Sequence, residues 1–453
     1  MTVTIKNQLL RALILLSISM LSTACKVVGP DYVRPEIKAP VAYKEAASTT
    51  PSEAPTKHIE DHWWTLYGND ELDQLIGQVE LQNYSLQAVE ARTRQARALA
   101  DIAKAAQSPT VVAGGQNDLG ILASWEIDLW GRVKRNIEAS GATAEASVDD
   151  LAAMKLSLQA QLAQNYFNLR VQDAEIRLLQ DTTSAYERLL KVTKNQYAVG
   201  VADRANVLQV QTQLNIAQSQ TQEARASRAQ LEHAIAVLIG KAPADFSIAA
   251  GPITTNVPDV PATLPADLLL RRPDIAAAER RVAAASAKIG EAEAAGYPSL
   301  DLFAGVSIRK GLLGGAKVLA PLYSNGATQA NRSQASAAYD EVVADYQQTA
   351  LNSFREVEDN LATLQSLSTA ADNKAEGLKA ARESLTIMNN QQQVGIINHH
   401  AMMMAQTAAL DGEKAGLDIL AKRLTASVNL IKALGGGWQS AVVDTADIPA
   451  ATK

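Results

Sequence analysis

The chain has 453 residues and a formal net charge of −6, and no Lys/Arg run concentrates positive charge. That balance excludes a nucleic-acid surface, because recruiting phosphates needs a dense basic field. Apolar residues make up 47% of the chain but aromatic residues only 4%, so a large compact core built on rings is excluded as well.

Ala, Leu, Gln, Glu, Lys and Arg dominate instead. They lose little side-chain entropy in a helix, which points to long thin helices packed through small residues. The chain opens on an export signal over residues 1–24: Lys6 and Arg11 are the positive end, residues 12–21 the apolar stretch, and Ser22, Thr23 and Ala24 are small. The apolar stretch is too short to span a bilayer. Cys25 follows it and is the chain's single cysteine, so no disulfide framework exists and its thiol needs another role. A cysteine in this position resembles a bacterial lipobox, with Ser22 standing where the box usually carries Leu. Cys25 is therefore expected to be the lipidated first residue of the mature chain, an anchor that does not itself span. Residues 25–61 carry Pro30, Pro35, Pro40, Pro51 and Pro55, which deny them helix and predict an extended, lipid-bearing tether.

An internal repeat follows, with one structural copy over residues 62–250 and a second over 251–438, ahead of a flexible tail over 439–453. Asn83 and Arg272 open comparable helices that end before Pro109 and Pro298, both at an offset of 189. Gly131 and Gly326, Gly200 and Gly395, and Gly240 and Gly435 then correspond at 195. The six extra residues of the second copy lie between its proline and its glycine, within the segment of each copy that is not helical.

Each copy reads as helix, strand segment, very long helix, tight turn and helix. Residues 132–196 contain no Pro, and Leu151, Met154, Leu158, Leu162, Tyr166 and Leu169 recur at threes and fours. At 1.5 Å per residue this is a rod of roughly 100 Å, while the flanking helices over 71–107 and 203–239 are each about 55 Å, so two stacked short ones match one long one. Such a rod cannot bury its apolar stripe alone and needs coiled-coil-like neighbours. Gln159, Gln161, Gln164, Asn165 and Asn168 interleave with that stripe. For any one of them a solvated outer face suffices; a wall of such helices also needs a second wet face, which a lumen provides.

Two β-hairpins are expected, over residues 109–131 and 298–326. Leu300, Leu302, Ala304, Val306 and Ile308 alternate with Ser299, Asp301, Phe303, Gly305 and Ser307, and residues 119–130 alternate likewise apart from Leu122. Residues 309–311 read as a turn, as does the glycine-rich run over 311–317. That run is similar to a phosphate loop but has Ala316 before Lys317 and Val318 after it, where the loop needs Gly and Ser or Thr. Four strands cannot close around a pore, and open edges in lipid are costly, so closure requires several subunits.

Seven marks in order carry a family resemblance: Cys25 with Val28-Gly-Pro-Asp-Tyr32; Trp63-Trp64; Trp125-Glu-Ile-Asp-Leu-Trp-Gly-Arg132; Tyr166-Phe-Asn-Leu-Arg170; Leu270-Arg-Arg-Pro-Asp-Ile275; Phe354-Arg-Glu-Val-Glu-Asp359; and Ala433-Leu-Gly-Gly-Gly-Trp438. Over nearly the whole mature chain the sequence resembles the outer-membrane factors of tripartite efflux pumps, in their lipoprotein branch. The resemblance implies a mainly α fold, with very long helices forming an α-barrel and two short hairpins contributing to a shared trimeric, twelve-stranded β-barrel. It further implies a homotrimer in outer-membrane lipid that extends into the periplasm and meets an adaptor protein and an inner-membrane transporter, with the turns at Gly200 and Gly395 as docking tips. Lys26, a non-Asp residue after the cysteine, suits outer-membrane delivery. The hairpin segments look shorter than the family's. The family's carboxylate ring at the tip is also missing: Ala401 and Met404 stand six and nine places after Gly395, and Asn206 six after Gly200. A gate would have to use Met402, Met403, Met404 and nearby polar groups.

No spacing in the sequence supports catalysis. His399 with Met403 and His400 with Met404 sit at i,i+4, a weak soft-metal pattern better read as a polar helix tip over apolar packing. Glu356 with Asp359, and Glu291 with Glu293, lie on exposed-looking helices without a desolvated pocket. The expected function is a passive exit duct for small toxic compounds, with no enzyme activity and no cofactor beyond the covalent lipid on Cys25. A lipid-anchored coiled-coil scaffold and a type I-like secretion duct are the alternatives. Alternating strands speak against the scaffold, whereas nothing in the chain separates the two ducts.

Overall fold

A computed structural model describes residues 27–45, 61–114, 120–260, 265–309, 311–393 and 399–438. The expected signal, Cys25, the tail and Gly395 lie outside these residues. After a 3-10 turn at Trp63–Tyr67 come α1 (Asp70–Gln82), α2 (Tyr84–Ala105), β1 (Thr110–Gly114), β2 (Gly120–Ile127), α3 (Arg132–Ala198) and α4 (Arg204–Leu238). A short 3-10 turn at Pro243–Asp245 leads to α5 (Pro265–Arg271), α6 (Pro273–Ala294), β3 (Ser299–Ser307), β4 (Gly311–Leu319), α7 (Ala327–Gln393) and α8 (His399–Ala433). The long helices α3 and α7 both have 67 residues, and α4 and α8 both have 35.

The chain forms two compact units, and both draw on both sequence copies. One comprises Met1–Lys38, Ala88–Ala152 and Pro273–Asn352; the other comprises Ala39–Gln87, Ala153–Arg272 and Ser353–Lys453. The first contains all four strands and packs its helices through small side chains: Ala96, Ala100 and Ala144 form one buried cluster. Thr93 supports that close approach, donating its hydroxyl to the Ser147 carbonyl at 2.9 Å.

In the second unit several of the scarce rings form one cluster. Trp63 and Phe167 are buried, the Tyr67 ring lies 4.8 Å from Phe167, and the Tyr67 hydroxyl is 2.7 Å from Ser427 Oγ. Leu72 and Ile76 of α1 are fully buried beside them in sequence, in a helix capped by Asn69, which accepts from the Leu72 amide.

The rod expected over 71–107 is two helices, the second opened by Asn83 as the repeat predicts. This residue does two jobs that a helical residue cannot do. Its Oδ1 accepts from the Leu86 amide at 2.9 Å and so caps α2, while its Nδ2 donates to the Leu238 carbonyl at 2.7 Å and satisfies the end of α4. The second copy repeats the arrangement with a different residue: Arg272, between α5 and α6, donates to the Ala433 carbonyl at the end of α8 at 3.1 Å and to Glu356 at 2.7 Å. The glycines after α4 and α8 have positive φ, +71° at Gly240 and +94° at Gly435. A Cβ on Gly240 would run into the Gln82 carbonyl, and one on Gly435 into the Arg271 carbonyl, so both positions need glycine twice over.

A buried ionic network pins the segment that leads out of the first copy. Asp173, in α3, accepts from Arg170 at 2.8 Å, from Arg228 at 2.6 Å and from the Gly251 amide at 3.1 Å. Arg170 also reaches Glu71 and the Ala249 carbonyl, and Arg228 reaches Glu232 and the Ile248 carbonyl. Glu232 accepts from the Ile248 amide at 2.6 Å. Every charge in this set has a partner, the condition under which buried ions are tolerated.

Candidate membrane sheet and helix-hairpin turn

The two hairpins join through β2 and β3 into one antiparallel sheet of order β1-β2-β3-β4. Successive rungs point to opposite faces. The rungs Val111/Ala123/Ala304/Gly314, Ala113/Ile121/Val306/Leu312, Trp125/Leu302/Ala316 and Ile127/Leu300/Val318 form a face without one polar side chain. The intervening rungs carry Thr110, Ser124, Ser307 and Ser299, together with Glu126, Asp301 and Lys317 on one rung, among Val112, Leu122, Phe303, Leu313 and glycines. On the apolar face Val111, Ile121, Val306, Leu312 and Val318 are all more than half exposed. A wholly apolar, uncovered sheet face opposite a mixed one matches hydrocarbon on one side and water on the other.

The run over 311–317, expected to be a turn, is instead the start of β4. Glycine is unusual inside a strand, but the Phe303 ring lies over Gly315, where a side chain would crowd it. Among the described residues no strand pairs with the outer edges of β1 and β4. Among the described residues no helix is long and apolar enough to cross a membrane.

At the helix end of the sheet, Trp130 stacks on Tyr297 with centroids 4.7 Å apart and donates its indole N–H to the Pro298 carbonyl at 2.8 Å. Rings with one apolar body and one satisfied polar handle suit a membrane–water boundary. Arg132 opens α3 beside them, paired with Glu126. Further along α3, burial pushes Asp149 up to about 6, with Arg280 opposing and Asp150, Glu145 and Glu279 adding to the rise. A carboxyl raised on folding binds its proton more tightly in the folded state, so its contribution to stability is present at low pH and is lost as pH rises from about 4 through about 6. Asp149→Asn should therefore raise the thermal midpoint at pH 7.5, and that gain should shrink towards pH 4. Equal midpoints at pH 7.5 would contradict this assignment.

The turn between α3 and α4 is built on Gly200, at φ +77°, with the amides of Val201 and Ala202 returning to the Gln196 carbonyl. Val199 and Val201 flank it and are 74% and 75% exposed, an apolar pair held out at a helix-hairpin tip. Asn206 is half-buried in the first turn of α4. In the second copy α7 ends at Gln393 and α8 starts at His399 and His400.

The expectation for the methionines needs correction. Met403 is packed among Tyr186, Leu190, Val210, Leu214 and Ala217, and Met402 is buried as well, so neither is free to narrow a lumen, and the Met403 thioether is committed to packing rather than to a metal. Met404 is exposed and Ala401 half-buried. Among the described residues no group of three or more His, Cys, Asp or Glu side chains is placed to hold a metal ion.

Comparison with known proteins supports the same reading. A profile of the outer membrane efflux protein family matches residues 75–241 and 264–436, one span in each copy. The chain is 29% identical over 418 residues to the pyoverdine export outer membrane protein OpmQ of Pseudomonas aeruginosa, covering 83% of this chain and 88% of that protein. It is 26% identical over 458 residues to the probable outer membrane lipoprotein SilC of Salmonella typhimurium, covering 94% and 98%. Among solved structures it superimposes on the outer-membrane channel OprN with a TM-score of 0.83 at 26% identity, over 91% of this chain and all of that one. An apolar sheet face, an interfacial ring pair and very long paired helices meet in a chain that belongs to the outer membrane efflux protein family and serves as an outer-membrane efflux channel.

Proposed function

We propose that three copies of the chain form one passive exit duct for small toxic compounds, anchored by a lipid on Cys25 and working with a periplasmic adaptor and an inner-membrane transporter. The observation that carries this reading is the four-stranded sheet, with one apolar face and, among the described residues, two unpaired edges. Unpaired backbone groups in hydrocarbon cost several kcal/mol each, so β1 of one copy has to meet β4 of the next, and three copies make a closed barrel of twelve strands. The mixed face then lines water. The exposed Val199 and Val201 beside Gly200 offer the adaptor an apolar docking point, and Gly395, the counterpart of Gly200 in the sequence repeat, is proposed for the same role.

Asn206, Ala401 and Met404 remain the residues proposed to border the constriction, with Met404 the most open of the three. Catalysis has no part in this reading: the buried carboxylate Asp173 is occupied by arginines rather than facing a cleft. The cargo is chosen upstream by the transporter, and a deletion strain tested against a panel of toxic compounds identifies it. Detergent-purified protein should have the mass of a trimer and give single-channel conductance in planar bilayers. A monomer without conductance refutes the duct.

A further inference from the structure

Residues 27–32, shortly after Cys25, have no helix or strand of their own, yet they are not free. Their backbone is taken up by the first unit residue by residue: the Val28 amide donates to the Trp130 carbonyl at 2.9 Å, and Arg135, only 4% exposed, donates to the carbonyls of Val28 at 3.2 Å and Gly29 at 3.3 Å. The same guanidinium holds Asp31 at 2.9 Å and Glu138 at 2.8 Å. Gly29, at φ +91°, lies directly on Gly290 of α6, where neither residue has room for a Cβ. Val27 fills the space over Gly131, the Tyr32 hydroxyl donates to Glu279, and Arg34 donates to Tyr346 at 3.2 Å. A tether whose only task is to connect a lipid to a fold needs none of these contacts, and ordering it costs chain entropy that they must offset.

We propose that residues 27–32 are a seated strap that fixes the lipid-bearing residue at the helix end of the sheet, so that acyl chains and strands enter the membrane at one set depth. The inference rests on acylation of Cys25. That residue is two positions before Val27 and so within about 7 Å of it along an extended chain. Val28 in turn is bonded to Trp130, one of the two rings suited to the membrane–water boundary, and Val27 rests on the neighbouring Gly131. The groove at Gly290 and Arg135 is thereby a receptor for the chain's own Val28-Gly-Pro-Asp-Tyr32 motif.

Hydrogen exchange on the full-length protein tests this, because an unseated strap exchanges at the free-chain rate. In the wild type the Val28 amide should be protected at least a hundredfold. Gly290→Val places side-chain atoms against Arg135 and the Val28 carbonyl. It should abolish the protection and lower the yield of heat-resistant oligomer about tenfold, while palmitate labelling stays unchanged. Asp31→Ala with Tyr32→Phe removes strap contacts without touching the helices, and should lower protection at unchanged helical content. Free-chain exchange in the wild type overturns the strap, and so does normal oligomer yield in a fully exchanging Gly290→Val. The acylation reading is scored separately in Cys25→Ser: label retained there refutes the anchor alone, and protection retained there without label supports a seat built by the fold.

Discussion

Asp173→Ala should destabilise the second unit by about 3–5 kcal/mol, the cost of leaving buried arginines without the carboxylate that neutralises them. The Asp173 side chain is 1% exposed and those of Arg170 and Arg228 are 5% and 17% exposed, so water cannot replace the lost partner. Each arginine retains a carbonyl and another carboxylate, which keeps the effect near the lower end of that range. Asp173→Asn keeps an acceptor but removes the charge, and should be milder. The readout is local: the Gly251 amide loses its bond to α3, leaving the arginine bonds to the Ala249 and Gly251 carbonyls, so protease cleavage near Gly251 should accelerate well before the helices melt. Unchanged cleavage in Asp173→Ala would show that the remaining bonds carry the segment.

Ala304→Lys and Ser124→Lys should separate by about 2–4 kcal/mol, although both place a lysine in the middle of the same sheet. Ala304 lies on the apolar face and Ser124 on the other, on neighbouring rungs of the β2–β3 ladder. A charge on the first meets hydrocarbon, while a charge on the second meets water in the lumen. The Ala304 variant should therefore lose most of its folded oligomer in a bilayer, whereas the Ser124 variant should assemble normally and alter ion selectivity. Reversed yields would mean that the faces are assigned the wrong way round, and equal yields that the sheet stays in water.

The elements that were legible in the sequence are those fixed by local pattern. The long helices show as uninterrupted apolar recurrence, and the paired turn glycines mark their ends. What escaped depends on contacts distant in sequence. The repeat marks Asn83 as a helix start, but the end of α1 just before it has no Pro or Gly to announce it, and the contact that holds Asn83 there is with the Leu238 carbonyl, 155 residues away. Strand β4 was hidden by Gly311, Gly314 and Gly315, which argue for a turn until the Phe303 ring is seen to cover one of them. The three methionines look equivalent along the chain; helix rotation alone decides that Met403 packs inward and Met404 faces out. The strap had a partial signature in its Gly29-Pro30 corner, but its seat is contributed by residues more than a hundred positions downstream, at Arg135 and beyond.

Gly240 closes on Gln82 and Gly435 on Arg271, so each half of the chain bites its own beginning rather than that of its twin. The segment up to Gly251 is likewise held by first-half side chains. The duplication thus produced two self-closing modules, and the natural place to recombine chains of this kind is just after Gly251. A chimera spliced there inherits both closures intact and has to match its new half along the β2–β3 seam, the helix faces that the halves share and the seat of the strap at Gly290, Glu279 and Tyr346.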